Sequence, residues 1–210
     1  DMAHNRNHIR MAMPLQLGTR FLPRVLGDFR REHPEIRLDI IETGGISALH
    51  MVEDEKLDIA LTNYETGFSQ KLNYQKLFTC ECCFVTHPDH PLASRTAVSM
   101  ADFVDEPLVM LDSGFFVYRM VHDIYAKANR KPQIIHYSPY LHTIKNLVKN
   151  GLASTFLTRQ AVLPEDHLVQ ISLQNPFYIN SGIVTKKGRQ VYDDERTLMA
   201  YLKDITRNLV

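Results

Sequence analysis

With 210 residues the chain can bury the core of one large domain or of two small lobes. Its residues are 44% hydrophobic and 23% charged, and 24 Lys and Arg balance 24 Asp and Glu, an ordinary globular composition without the basic surplus of a phosphate-gripping nucleic-acid binder. No apolar run approaches the roughly 20 residues that span a bilayer, and Asp1 to His8 is too polar for a signal peptide.

In chain order, Ile9 to Met13 reads as a first strand, broken by Pro14. Phe21, Leu22, Val25, Leu26 and Phe29 then recur at helical spacing, with Arg24, Asp28, Arg30 and Arg31 opposite. Pro23 suits the first turns of that helix, and His33-Pro34 ends it. Ile36 to Glu42 is a second strand. Gly44-Gly45 opens a helix carrying Ile46, Leu49 and Val52, and Leu57 to Leu61 is a third strand. That nearly continuous apolar run fits a parallel sheet buried on both faces. Leu72 to Thr86 is extended.

The segment His87 to Ala93 marks a division, after which the plan repeats. Pro107 to Leu111 is a strand, Val117, Met120, Val121, Ile124 and Tyr125 mark a helix, and Gln133 to Tyr137 is the next strand. Leu141, Ile144, Leu147 and Val148 form a helix stopped at Asn150-Gly151, and Leu152 to Leu157 is the last parallel strand. Phe177 to Lys186 is extended and returns the chain to the first lobe. Leu198, Leu202, Ile205 and Leu209 close it with a helix that has Asp193, Asp194 and Glu195 at its start and Lys203 and Arg207 near its end. The predicted fold is therefore α/β: two lobes, each a mostly parallel sheet with flanking helices, joined by two crossing strands. A cleft between two such lobes is a small-molecule site.

No catalytic motif is present: no G-x-G-x-x-G, no phosphate-loop pattern, no G-x-S-x-G and no H-E-x-x-H. No catalytic residue, metal ligand or cofactor is assigned. Cys80, Cys82 and Cys83 read as buried reduced thiols in a strand, since a disulfide framework would spread an even number along the chain. His87 and His90 are spaced i, i+3, but Pro88 and Pro91 forbid a helix, so the pair belongs to a loop.

In open parallel sheets ligands lie beyond the carboxyl ends of the strands, where helix N-termini aim free N–H groups. The corresponding junctions are Pro14-Leu15-Gln16, Gly44-Gly45-Ile46, Asp112-Ser113-Gly114 and Pro139-Tyr140-Leu141, and Thr62 and Asn63 end the third strand. Capping and turn chemistry would explain any one of these. Gln16 and Asn63 are poor core residues, which favours a ligand role for them. Leu15, Phe115, Phe116 and Tyr140 supply apolar surface. Arg119 reads as a surface or structural residue. The expected ligand is a small organic acid or other compact metabolite.

The order of fragments carries a resemblance. Leu17-Gly18, Phe21-Leu22-Pro23, Phe29, His33-Pro34, Leu57-Asp58-Ile59-Ala60, His90-Pro91-Leu92-Ala93, Glu106-Pro107-Leu108-Val109, Thr143-Ile144, Leu147-Val148 and Gly151-Leu152-Ala153 follow one another as in a known family. From Ile9 to about Val210 the chain resembles the effector-binding part of the LysR-type transcriptional regulators. The resemblance implies a type 2 periplasmic-binding-protein-like fold with an effector in the interlobe cleft, contacted at the positions matching Gln16, Gly45, Asn63 and Pro139. The full set of expected contacts is Pro14, Leu15, Gln16, Gly45, Thr62, Asn63, Ser113, Phe115, Pro139 and Tyr140.

It also implies that residues 1–8 are a linker remnant or scar, 9–87 with 170–210 the first lobe, and 88–169 the second. DNA would be bound only through an N-terminal winged helix-turn-helix that this chain does not contain. A cytoplasmic homodimer or homotetramer without membrane association is implied as well. The family's peroxide sensors keep a cysteine pair in the second lobe, and residues 94–168 contain no cysteine. A transporter's solute-binding protein shares the fold and is the alternative; an enzyme on this scaffold is the third reading.

Overall fold

β1 (His8–Met13) lies between two parallel neighbours, β2 (Arg37–Glu42) and β3 (Ile59–Tyr64), in register Met13↔Glu42 and Ala12↔Ala60. The computed structural model describes residues 6–207. The chain divides into two units, one running to Thr79 and resuming at Asn180, the other Cys80–Ile179. The changeovers thus fall inside two long strands, β4 (Leu72–Thr86) and β10 (Phe177–Lys186), whereas the sequence reading placed them after residues 87 and 169. Residues 1–5 of the expected linker remnant, and Leu209 of the expected last helix, lie outside the described residues.

In the first unit every residue of β3 is buried, as its apolar run requires of a strand covered on both faces. β2 is the sheet edge and buries none of its residues. β10 runs antiparallel to β3, with Ser181 opposite Asn63 and Gly182 opposite Thr62. On its other side β10 passes so close to β4 that a Cβ on Gly182 would lie 2.1 Å from the Gln75 carbonyl oxygen. Only glycine fits there. Just before β3, the buried Asp58 is bound three times by Arg10 of β1: backbone N–H and Nε to Oδ2 at 2.9 and 3.1 Å, and Nη2 to Oδ1 at 2.9 Å.

The first helix departs from its sequence reading. α1 (Leu15–Arg24) begins directly after Pro14, so Pro23 sits in its interior and not in its first turns. A proline there cannot donate to the Thr19 carbonyl and its ring crowds that oxygen. The helix then widens into a π-helical turn, Val25–Phe29, and closes with α2 (Arg30–Glu32) before His33 turns extended ahead of Pro34. Leu17, Phe21, Val25 and Phe29 are buried, while Leu26 is 44% exposed. α3 (Gly45–Glu53) follows β2.

In the second unit β5 (Ala97–Val98) and α4 (Met100–Phe103) precede β6 (Pro107–Leu111). β6 pairs in parallel with β7 (Gln133–Ser138), with a register shift between Leu108 and Val109. α5 (Phe116–Lys127) follows β6, and α6 (Leu141–Lys149) follows β7, ending where Gly151 takes a left-handed φ of 68°. β8 (Thr155–Thr158) was expected to be parallel. It is so only at its approach, through the bridge Leu108↔Ser154; the strand itself pairs antiparallel with β4 from Val85↔Thr155 to Cys82↔Thr158. The Leu152–Leu157 run therefore serves two neighbours of opposite direction. β9 (Val169–Leu173), which the sequence reading did not single out, is antiparallel to β4 and parallel to β5. Phe84, Phe103 and Phe156 form this unit's aromatic core, with ring centroids 5.2–5.8 Å apart. In the first unit α7 (Asp193–Thr206) closes the described chain.

Candidate functional site

Helix starts in this chain fall into two kinds. α4 and α7 are capped by their own acidic residues. Asp102 Oδ2 accepts from both the N–H and the hydroxyl of Ser99, each at 2.7 Å, and Glu195 accepts from the Tyr192 N–H at 3.1 Å. α1, α3, α5 and α6 begin at Pro14, Gly44, Phe115 and Tyr140 with no capping side chain. These four are the helices that directly follow β1, β2, β6 and β7. Their first N–H groups are left for solvent or a ligand, and the helix dipole favours an anion or an oxygen acceptor.

In the first unit β1 to β3 are parallel, so their carboxyl ends share one side. The structure brings Pro14, Leu15 and Gln16 (end of β1), Gly45 (after β2), and Thr62 and Asn63 (end of β3) to that side. Gln16, Thr62 and Asn63 are all buried, and they are polar. The Thr62 hydroxyl donates to the Asn63 carbonyl at 3.1 Å, so it is committed to the fold. Asn63 Oδ1 accepts from the Ser181 hydroxyl at 2.6 Å. That bond turns the amide so that Nδ2, which has no partner among the described residues, is the group left to offer. One acidic group belongs to the same end: Glu42, whose Oε2 lies 2.8 Å from where a Gly18 Cβ would stand. Glu42 sits beside the first turns of α1 and tempers the positive end of that helix.

In the second unit Ser113 and Phe115 follow β6 and Pro139 and Tyr140 follow β7, level with the pair Leu111↔Ser138. Ser113 and Pro139 are exposed and Tyr140 is 66% exposed. Phe115, expected as apolar ligand surface, is 4% exposed and belongs mainly to the core. Asp112 Oδ1 accepts from the Gly114 N–H at 3.0 Å, and the Ser138 hydroxyl oxygen accepts from the Tyr140 N–H at 3.1 Å. These side chains brace the loops and leave the helices uncapped.

Sequence reasoning missed Ser181, Ser138 and Glu42. Ser138 could have been found, since a serine just before Pro139-Tyr140 is a turn signal. Ser181 could not, because only the β3–β10 register places it opposite Asn63.

The other singled-out groups have structural surroundings. Cys80, Cys82 and Cys83 are buried and in no disulfide. Burial pushes the Cys82 thiol far up and the Cys83 thiol up to about 12, the latter against the pull of Arg159. Such thiols are unreactive at neutral pH. His87 and His90 each accept a backbone N–H through Nδ1, from Asp89 and Leu92, and His90 Nε2 lies 3.0 Å from Glu106. Among the described residues no group of three His, Cys, Asp or Glu is placed to hold a metal, and no helix is long and apolar enough to cross a membrane.

The family of the LysR substrate binding domain matches residues 3–207. The chain belongs to that family. YwbI, an uncharacterized HTH-type transcriptional regulator of Bacillus subtilis, is 28% identical over 155 residues, covering 72% of this chain and 50% of YwbI. GltC, a transcriptional dual regulator of the same organism, is 25% identical over 191 residues, covering 89% of this chain and 63% of GltC. The chain thus spans half to just under two thirds of the length of these relatives, which are named as regulators of transcription.

Among solved structures, the regulatory domain of CcmR from Synechocystis PCC6803, in complex with 2-PG, superposes with a TM-score of 0.85 at 20% identity, covering 96% of this chain and 98% of that one. The effector-binding domain of QuiR in complex with shikimate gives 0.79 at 16% identity, covering 98% and 99%. These likenesses show the fold: α/β, of the two-lobed type 2 periplasmic-binding-protein-like kind.

Proposed function

We propose that the chain is the sensory and oligomerisation module of a cytoplasmic LysR-type DNA-binding regulator. In this reading it holds a small organic acid at the strand-end loops to control transcription. DNA is read by a helix-turn-helix in a part of the protein outside these residues. The observation that carries the reading is the selective absence of caps on the four helices that follow β1, β2, β6 and β7, beside a buried Asn63 whose amide is oriented by Ser181. The QuiR complex with shikimate, an organic acid, supports the ligand class.

The energetics set what such a site must contain. A micromolar ligand needs about 8 kcal/mol in all, and one anion at a helix start gains typically about 0.3–1 kcal/mol. Burial of the ligand's own apolar surface and hydrogen bonds to the loop backbone must supply the larger share, with Gln16 and Asn63 adding about one hydrogen bond each. A thermal-shift screen of organic acids identifies the ligand, and calorimetry then compares variants. Gln16→Ala and Asn63→Ala should each weaken binding by roughly threefold to tenfold, the loss of one hydrogen bond, and Asn63→Ala should also cost about 0.5–1.5 kcal/mol of stability because it removes the buried bond from Ser181. Unaltered affinity in both variants would move the site elsewhere.

Assembly is read from uncovered apolar edges. Leu26 and Ile41 are exposed at the π-helical turn and on β2, and Ile135 and Tyr137 on β7. Open strand edges with apolar side chains are templates for pairing, and a two-fold axis would use each patch twice. Sedimentation should show a dimer at micromolar concentration, dissociated by Leu26→Asp. A monomer at high concentration would refute this assembly.

A further inference from the structure

We propose that the second unit carries a separate binding site for a small apolar monocarboxylate, in a cavity of about 420 Å³ between α4, the end of α5 and the turn joining β9 to β10. That volume is in the range of small-molecule pockets. None of its lining residues is among the effector contacts considered above, so the site is additional to the proposed function.

The floor is apolar. Val98, Phe103 and Leu173 are buried, and Met100 and Phe177 half-buried, around a space with no protein group filling it. The remaining wall is one strip of α5: Ile124, Lys127 and Ala128 stand at i, i+3 and i+4 and therefore share a face. Three sets of hydrogen bonds fix these walls independently of any occupant. The Tyr125 hydroxyl donates to the Phe103 carbonyl at 3.0 Å, the Gln174 N–H to the Val98 carbonyl at 2.9 Å, and Asp102 holds the start of α4. A ligand entering here meets a surface already in place, which lowers the ordering cost of binding.

Charge selects the ligand class. Lys127 is the only charged residue of the lining, and it has no ion-pair partner among the described residues. Nearby Arg130, by contrast, is paired with Asp105. Asn175, also in the lining, likewise has no side-chain partner among the described residues. The carbonyl end of α5 lies beside Lys127, and its partial negative charge disfavours a dianion. An apolar body over Phe103 and Leu173 with one carboxylate paired to Lys127, opposed but not outweighed by the α5 carbonyl end, fits this lining.

The test uses the 210-residue chain carrying 13C-methyl methionine, titrated with octanoate and, separately, octanol. Met100 lies in the lining and reports the site directly, while Met11 and Met13 report the first unit. Octanoate should shift the Met100 methyl saturably and octanol should bind more weakly. Lys127→Glu, an exposed change, should weaken octanoate by about threefold to tenfold. Asn63→Ala should leave the Met100 response unchanged, which separates this site from the effector reading. An unmoved Met100 at millimolar octanoate overturns the site, as does a response confined to Met11 and Met13. Equal affinity for octanol, or for Lys127→Glu, overturns the carboxylate assignment.

Discussion

The strand-end loops of the two units place their candidate contacts under opposite conditions. In the first, Gln16, Thr62 and Asn63 are buried, and the Asn63 amide is held by Ser181 at 2.6 Å before any ligand arrives. In the second, Ser113, Pro139 and Tyr140 are exposed, and the hydrogen bonds there brace the backbone. A fixed polar group binds without an ordering penalty. An exposed tyrosine must first be immobilised, at about 0.5–1.5 kcal/mol for such a side chain. On the proposed site, the first unit would discriminate and the second would adapt.

The sharpest way to break this difference is to disturb the crossing that positions Ser181. Gly182→Ala would drive a methyl group into the Gln75 carbonyl, which lies in backbone and cannot swing aside. The expected loss is about 3 kcal/mol or more, read by chemical denaturation, with ligand binding lost even where the chain still folds. A wild-type denaturation midpoint would show that β10 does not hold the first unit as described.

Acid probes the same unit less severely. Burial pushes the Asp58 carboxyl up, but hydrogen bonds and charge from Arg10 outweigh this and hold it below the usual carboxylate range. A carboxylate with a lowered folded pKa contributes stability above its unfolded value, about 3.9, and loses it as pH falls through the folded one. Denaturation midpoints should therefore drop below about pH 4, and Asp58→Asn should flatten that drop at a cost of about 1.5–3 kcal/mol near neutrality. An unchanged acid limb in the variant would remove Asp58 from the account.

The smallest effects test the comparison itself. Ser181→Ala frees the Asn63 amide and should weaken the ligand by about threefold, whereas Tyr140→Ala should cost about twofold at most, because lost contact is offset by freedom regained. Calorimetry on both variants decides. A larger loss at Tyr140 than at Ser181 would invert the roles of the two units.

What could be read without coordinates was local. The spacing of Val117, Met120, Val121, Ile124 and Tyr125 contains α5, and Asn150-Gly151 contains the end of α6, because helices and their caps are written in neighbouring residues. The junctions Pro14–Gln16 and Pro139–Leu141 were legible for the same reason. Pairing was not. Nothing in Thr155–Thr158 states that it will run against β4, and nothing near Asn63 states that Ser181 will face it, since register joins segments far apart in the chain, Val85 with Thr155 and Asn63 with Ser181. The cavity beside Lys127 was equally invisible, for its walls come from three separate stretches of chain.

The π-helical turn after Pro23 bears on how this helix tolerates changes in length. Leu17, Phe21, Val25 and Phe29 are buried at strict four-residue intervals, and in an ideal α-helix each such step drifts by about 40° around the axis. After three steps the row would have left the core. A π turn holds more residues per revolution, so it takes up the excess and returns Phe29 to the face that Leu17 began. The surplus lies at Gly27, where nothing stands within 4 Å of a side chain's first carbon. A relative shorter by one residue at that point could bury the same four positions on a regular helix, so a single-residue gap there would record a change of winding and leave the core as it is.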